Sequence, residues 1–291
     1  MNPLVRRLVS RVGRLVSLMV LAALGTIALM RYAPGYFTDA REMDAQYAGS
    51  ARTELQLEQA QHGTFAQLTR ELLGGWMHRD LGRSRHFDVP VTELMTPRLR
   101  VTGKLLFCGV AGGWLLALTL ALPLSARRTA SGEGAIAAPT ALLLAMPVGA
   151  LATGCLLADF GGPVLVLSTL IAVRDFKLIY RLLRQTWRSP HFLYARALGV
   201  STPRIMRVHL LPRLTNELVA LATMSFVLAL SAIVPVEVIF DVPGLGQLAW
   251  SAAMNRDMPV LLAVTLLMAA CIGVATMLAE PIQRAEAIPC A

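Results

Sequence analysis

The sequence predicts an all-α membrane protein of six transmembrane helices, with both termini cytoplasmic and an extracytoplasmic segment between helices 1 and 2. Three observations carry that prediction. Of the 291 residues, 55% are hydrophobic and only 15% charged, with a mean hydropathy of +0.58. Apolar runs recur at about the 20 residues needed to cross a hydrocarbon core. The net charge of +9 is a surplus of arginine. The arginines cluster beside the apolar runs, a pattern that orients helices in a bilayer and argues against a nucleic-acid partner.

Residues 1–11 carry Arg6, Arg7 and Arg11, and residues 12–30 are apolar apart from Arg14. A basic front and an apolar stretch also describe a secretory signal. Arg31-Tyr32 follows in place of a small-residue cleavage site, so residues 1–30 read as a cytoplasmic N-terminus and a first span. Residues 31–100 read as the extracytoplasmic segment. Over 31–97 seven arginines stand against nine acids, a net charge of −2 that sets this stretch apart from the basic loops. Phe65, Leu68, Leu72 and Trp76 fall at helical spacing and predict an apolar face against the bilayer or the spans.

A membrane core over 101–285 follows. The second span is placed at 101–122, where Lys104 can snorkel to the interface. Arg127 and Arg128 put the loop at 125–134 inside. The third span covers 136–158, with Pro139 and Pro147 as kink points. Asp159-Phe160-Gly161-Gly162 reads as a tight outer turn. The fourth span opens at Pro163, but its apolar run ends at Val173, too short to cross. The helix must therefore continue through Arg174, Asp175 and Lys177, with Phe176, Ile179, Leu183 and Trp187 as its apolar stripe. Arg174 and Asp175 then face protein, water or each other, or else lie at the interface, because an unpaired charge in the core costs about 3 kcal/mol.

From 174 to 213 there are nine Lys or Arg and one acid, Asp175, which places the stretch at 188–213 in the cytoplasm. That stretch reads as two short helices. Ser189-Pro190 opens the first and Gly199 stops it; Ser201-Thr202-Pro203 opens the second and Leu211-Pro212 closes it. The fifth span covers 214–236. Residues 237–258 form an outer re-entrant segment in which Pro243-Gly244 turns the chain and residues 247–254 form a short helix. The last span covers 259–279, with Glu280 and Arg284 at its inner end.

Several stretches resemble one family, the ABC importer permeases, and within it the dipeptide, oligopeptide and nickel type. Those permeases carry a cytoplasmic Glu-Ala-Ala loop, and Ala195, Gly199, Leu211 and Pro212 fall on its register. Ala195-Arg196-Ala197-Leu198-Gly199 with His209 matches the form common in the peptide-type branch. Asp80-Leu81-Gly82-Arg83-Ser84, Pro90-Val91 and Arg98-Leu99 resemble the run before the second span of that branch. Glu237, Phe240, Pro243-Gly244-Leu245-Gly246 and Asn255-Arg256-Asp257 with Pro259 resemble its C-terminal signature. Arg174 and Asp175 depart from it, since the family usually has apolar residues there, and Pro34-Gly35-Tyr36 only partly fits the Pro-Gly-Asp that follows span one.

The resemblance implies a permease core at 101–285 and a translocation path, lined by spans two to five, that works by alternating access. It implies a second permease subunit in a heterodimer, two cytoplasmic ATPases that bind ATP and Mg, an extracytoplasmic binding protein, and residence in the bacterial inner membrane. Tyr194, Ala195, Ala197, Gly199, Val200, Ser201, Leu211 and Pro212 are the expected ATPase-coupling residues. Glu237, Phe240, Pro243, Gly244, Gly246, Asn255, Arg256 and Asp257 are expected at an outer gate or a binding-protein contact, with a structural plug as the other reading of that segment. Peptides are the family's commonest cargo.

Other chemistries find little support in the residues. There is no GxxxxGK[ST] to cradle phosphates, no HExxH and no GxSxG. His62, His78, His86, His191 and His209 have no metal-ligand spacing. Cys108, Cys155 and Cys271 sit in apolar runs and Cys290 near the end, so neither a disulfide framework nor a metal site is expected. A multi-span membrane hydrolase would need converging catalytic groups at one depth. A non-transporting scaffold is the remaining alternative, and an amphipathic linker is the plain reading of 188–213.

Overall fold

The computed structural model describes residues 3–32, 74, 81–84, 86–126, 140–187, 190, 194, 197–255 and 257–285. The helical spacing expected around Phe65 to Trp76, the partial match at Pro34-Gly35-Tyr36, Pro139, and Ala195, Arg196 and Arg256 lie outside them. The described chain is helical. Its elements are α1 (Pro3–Tyr32), α2 (Val91–Ala126), α3 (Val148–Leu157), α4 (Pro163–Trp187), α5 (Thr202–Ile205), a π-turn (Met206–Leu210), α6 (Leu211–Arg213), α7 (Thr215–Ile239), α8 (Leu245–Met254) and α9 (Met258–Ala285).

Four stretches among the described residues are long and apolar enough to cross a membrane unaided: Val9–Leu29, Val91–Ser125, Thr215–Ile239 and Met258–Ala279. Two further helices fall short of that standard for different reasons. α3 is apolar but brief. Its chain is helical at 140–145, breaks at Pro147 (φ −60°, ψ 142°) and restarts at Val148, as a residue without an N–H imposes. α4 has 25 residues, about 38 Å of helix, but carries Arg174, Asp175, Lys177, Arg181 and Arg184.

α2 begins ten residues before the expected second span. Hydropathy registers only its uniformly apolar part. The first turns are amphipathic: Val91 and Met95, one turn apart, are buried among Leu245, Leu248 and Val260. Likewise α9 runs on past the expected end of the last span to Ala285.

The chain divides into two compact units. The first comprises Met1–Val101 and Pro243–Val274. In it, Ala23 and Ile27 of α1 pack on Leu262 and Leu266 of α9. Gly273 admits Leu15: a Cβ there would lie 2.2 Å from the Leu15 Cδ1. The other face of α1 leaves Val9, Val16, Leu21 and Leu29 exposed, as a helix meeting lipid does.

The second unit comprises Thr102–Val242 and Ala275–Ala291. Here α2 meets α4 along glycines. A Cβ on Gly109 would lie 2.5 Å from Leu167 Cδ2, and one on Gly113 would lie 2.7 Å from Ile171 Cβ and 2.9 Å from the Ser168 carbonyl. The Ser168 hydroxyl uses the close approach to donate to the Gly109 carbonyl at 3.2 Å. Below that seam, Phe176, Ile179, Leu183 and Trp187 of α4 bury against Ala117 and Ala121 of α2 and against Ile205, Leu210 and Leu214.

Candidate functional site

The described part of the stretch at 188–213 is built by three local devices. Pro190, Tyr194 and Ala197 are helical, and the Leu198 amide donates to the Tyr194 carbonyl at 3.0 Å. Gly199 then takes φ +79°, the left-handed conformation that ends a helix and that glycine reaches at least cost. Ser201 starts the second helix, its carbonyl accepting from Arg204 at 3.0 Å and Ile205 at 3.1 Å.

The second helix was expected to close at Leu211-Pro212. It instead reaches Arg213 by widening. The Leu211 N–H donates to the Met206 carbonyl five residues back, a π-turn. Pro212 offers no N–H and its ring crowds the carbonyl four residues earlier. The extra residue in the turn accommodates it, and Leu214 (φ −95°, ψ 6°) makes the corner into α7.

The stretch has two faces. Ile205 and Leu210 are fully buried in the α2–α4 cluster, with Val200 and Met206 packed against it. Tyr194, Leu198 and Val208 are 68%, 64% and 57% exposed. Ala197, Gly199, Ser201, Arg204 and Pro212 are also exposed, and Leu211 is half-buried. Among the described residues nothing lies within 4 Å of a Cβ placed on Gly199. The result is a knob with apolar anchors inside and an apolar, arginine-edged face outside. Ile205 and Leu210 escaped sequence reading because they are five apart, a spacing that shares a face only on a π-turn.

The expected outer residues separate by exposure. Pro243 and Asn255 are exposed, Phe240 is half-buried, and Glu237, Gly244, Gly246 and Asp257 are buried. In the second unit, Glu237 accepts a hydrogen bond from the Thr102 hydroxyl of α2 at 2.6 Å. Asp241 (φ 51°) turns the chain, and the Val242 amide closes back on the Glu237 carbonyl at 2.8 Å. In the first unit, the Ser84 hydroxyl donates to the Asp257 carboxylate. The His86 amide reaches the same oxygen at 3.3 Å, and the Phe87 amide donates to Ser84 Oγ at 3.0 Å. Two motifs 173 positions apart in the chain are thereby clasped together. Ser84 and Thr102 were missed as partners because a lone hydroxyl in a sequence gives no sign of what it meets.

Ser84 is 2% exposed and His86 contributes its backbone amide, so these residues do not form a nucleophile–imidazole pair. Among the described residues no group of three His, Cys, Asp or Glu is placed to hold a metal ion.

Arg174 and Asp175 both turn to protein. The Asp175 carboxylate meets the Ser225 hydroxyl of α7, and that hydroxyl accepts the indole N–H of Trp114 from α2 at 3.2 Å. The Arg174 guanidinium donates to the Met224 carbonyl at 3.2 Å.

Residues 113–285 match the family described as the binding-protein-dependent transport system inner membrane component. The metal-staphylopine import system permease protein CntB of Staphylococcus aureus, from strains Mu50/ATCC 700699 and NCTC 8325/PS 47, is 33% identical over 107 residues. That region is 37% of this chain and 34% of the relative, so the chain spans about a third of the length of the curated relatives it matches.

Proposed function

The chain belongs to the binding-protein-dependent transport inner-membrane component family, the permeases of ABC importers, and from that premise we propose that it is the membrane-spanning subunit of an ATP-driven importer whose knob takes its motion from a cytoplasmic ATPase. It is a multi-pass inner-membrane protein. The observation that carries the proposal is the two-faced knob. Tyr194, Leu198 and Val208 offer apolar surface outward while Ile205 and Leu210 fix the same segment to α2 and α4. A load applied to the outer face therefore reaches the spans.

In this reading the full complement is six spans with both termini inside. The third span is completed around the Pro147 break, and the fourth is α4, its charges turned onto protein. The assembly holds a second, different permease subunit, two ATPases that bind ATP and Mg, and an extracytoplasmic binding protein. Closure of the ATPases on ATP drives the knobs together and switches the path between outward and inward access. The outer segment from Glu237 to Asp257 is held in shape by its buried acids and offers Pro243 and Asn255 to the binding protein. The cargo is a small solute delivered by that protein. The resemblance favours peptides, and the relative's name records import of metal-staphylopine, so a metal complex stands beside them.

Coexpression with ATPases encoded beside this reading frame tests the proposal. Co-purification and a changed ATP turnover are expected, with Gly199→Asp abolishing uptake but not membrane insertion. Wild-type uptake by that variant would refute the coupling role of the knob. A ligand screen on the neighbouring binding protein, with peptides and metal complexes as separate panels, decides the cargo.

A further inference from the structure

We propose that Asp175 is a positioning residue that locks α4 to α7, so that movement of the knob is delivered to the outer ends of both helices instead of being lost by splaying them apart. The inference rests on the transport reading above.

The knob lies between these two helices in the chain: α4 ends at Trp187 just before it and α7 begins at Thr215 just after it. Asp175 stands twelve residues above the end of α4, about 18 Å along its axis, and Ser225 ten residues above the start of α7, about 15 Å. Both contacts are thus about three turns above the knob, which makes a closed frame of knob, two struts and a crossbar.

The crossbar has several bonds. The Asp175 carboxylate meets Ser225 Oγ, Trp114 Nε1 joins the same hydroxyl from α2, and Arg174 holds the neighbouring Met224 carbonyl. Asp175 and Ser225 are both 0% exposed, and Asp175 Oδ1 has no hydrogen-bond partner among the described residues. A group that served only to glue two apolar helices would be better replaced by a hydrocarbon, since burying a half-satisfied carboxylate is costly. Its value lies in direction. Apolar side chains tolerate sliding, whereas a carboxylate aimed at one hydroxyl fixes axial register between the struts. The seam of α2 against α4 at Gly109 and Gly113 then carries α2 with them.

The test uses the full chain with its ATPases in lipid nanodiscs, spin-labelled after replacement of the native cysteines. One label pair sits at the inner ends of the struts, at exposed Gln185 and Glu217, and one at the outer ends, at exposed Phe160 and Asp241. Distances are read without nucleotide and with ATP plus vanadate. In the wild type both pairs are expected to shift. In Asp175→Leu the inner shift and ATP hydrolysis persist but the outer shift is lost, and Asp175→Asn, which keeps shape and hydrogen bonding, retains it. If Asp175→Leu does not fold, Ser225→Ala, which removes the shared hydroxyl without adding bulk, decides by the same criterion. An undiminished outer shift in the decisive variant overturns the inference while the transport reading stands. A wild-type complex with no response at either pair sinks the transport reading and this inference with it.

Discussion

Replacing Ile205 by Ala and Val208 by Ala should separate the two faces of the knob. The two residues are three apart, yet Ile205 is 0% exposed in the cluster with Ile179, Leu183 and Trp187, while Val208 is 57% exposed. Truncating a fully buried isoleucine removes its transfer free energy and leaves a cavity, about 2–5 kcal/mol in total. Val208 has little to lose in the isolated subunit, so its variant should stay within about 0.5 kcal/mol of wild type. Docking on an ATPase, as proposed, reverses the order. Burying a whole aliphatic side chain contributes about 1.5–3 kcal/mol, and Val208 has roughly half of that still to gain. Val208→Ala should therefore weaken ATPase binding by about 1 kcal/mol, roughly fivefold. Trp187 lies in the affected cluster and Trp114 packs against it, so tryptophan fluorescence during thermal unfolding in detergent reports the first effect. Titration of the purified ATPase reports the second. Equal destabilisation by both substitutions, or an unchanged melt for Ile205→Ala, would refute the division of the knob into an anchor and a face.

Three further outcomes follow from the packing. Gly113→Leu should cost about 1–3 kcal/mol or prevent folding, because its Cβ meets the Ser168 carbonyl at 2.9 Å as well as Ile171, and backbone cannot rotate away; Gly103→Ala, with nothing within 4 Å, should be tolerated, and melting temperatures of the two variants check the contrast. Ser84→Ala should raise the protease sensitivity of the chain around 81–90, since Asp257 then loses its hydroxyl donor at a buried position, a cost of about 1–3 kcal/mol. Gly199→Ala should cost about 1–2 kcal/mol in the isolated subunit through its φ of +79°, as no neighbour among the described residues lies within 4 Å, so a melt showing a much larger loss would mean that the site is enclosed.

Much of the helical layout was legible because apolar runs and punctuation obey local rules. Pro163 opens α4, Pro147 breaks the helix ahead of α3, and Gly199 ends the first knob helix where the sequence places it. The need to carry α4 through Arg174 and Asp175 followed from length alone, and the helix does run on to Trp187. Boundaries set by amphipathic turns were not legible: the first ten residues of α2 bury only one stripe, which a hydropathy average dilutes. The π-turn was hidden too, since it arises from the conflict between Pro212 and a helix that tertiary packing at Leu210 and Leu214 keeps going. As for the candidate site, the residue types were readable in the chain, but which of them face inward was not. Glu237 and Asp257, expected at an outer gate, a binding-protein contact or a structural plug, are buried, and each meets a hydroxyl that sequence distance conceals.

That pairing recurs, and its recurrence bears on how such a protein can move. Asp175, Glu237 and Asp257 are each at most 1% exposed, and each is met by a hydroxyl, from Ser225, Thr102 and Ser84 respectively. The arginine surplus is used differently: Arg83, Arg204 and Arg213 are exposed. An acid buried against a guanidinium would form a bidentate, charge-assisted pair that is strong and expensive to break. A hydroxyl gives the carboxylate direction through a neutral hydrogen-bond donor. Joints of that kind hold a register firmly enough for a push on one helix to move its neighbour. Ser225→Thr, which keeps the hydroxyl, should accordingly keep the α4–α7 joint and the coupling that Ser225→Ala loses. Spin-label distances that remain correlated at the two ends of the struts, with ATP turnover unchanged, are the expected signature. Loss of that correlation would show that the hydroxyl does not carry the joint.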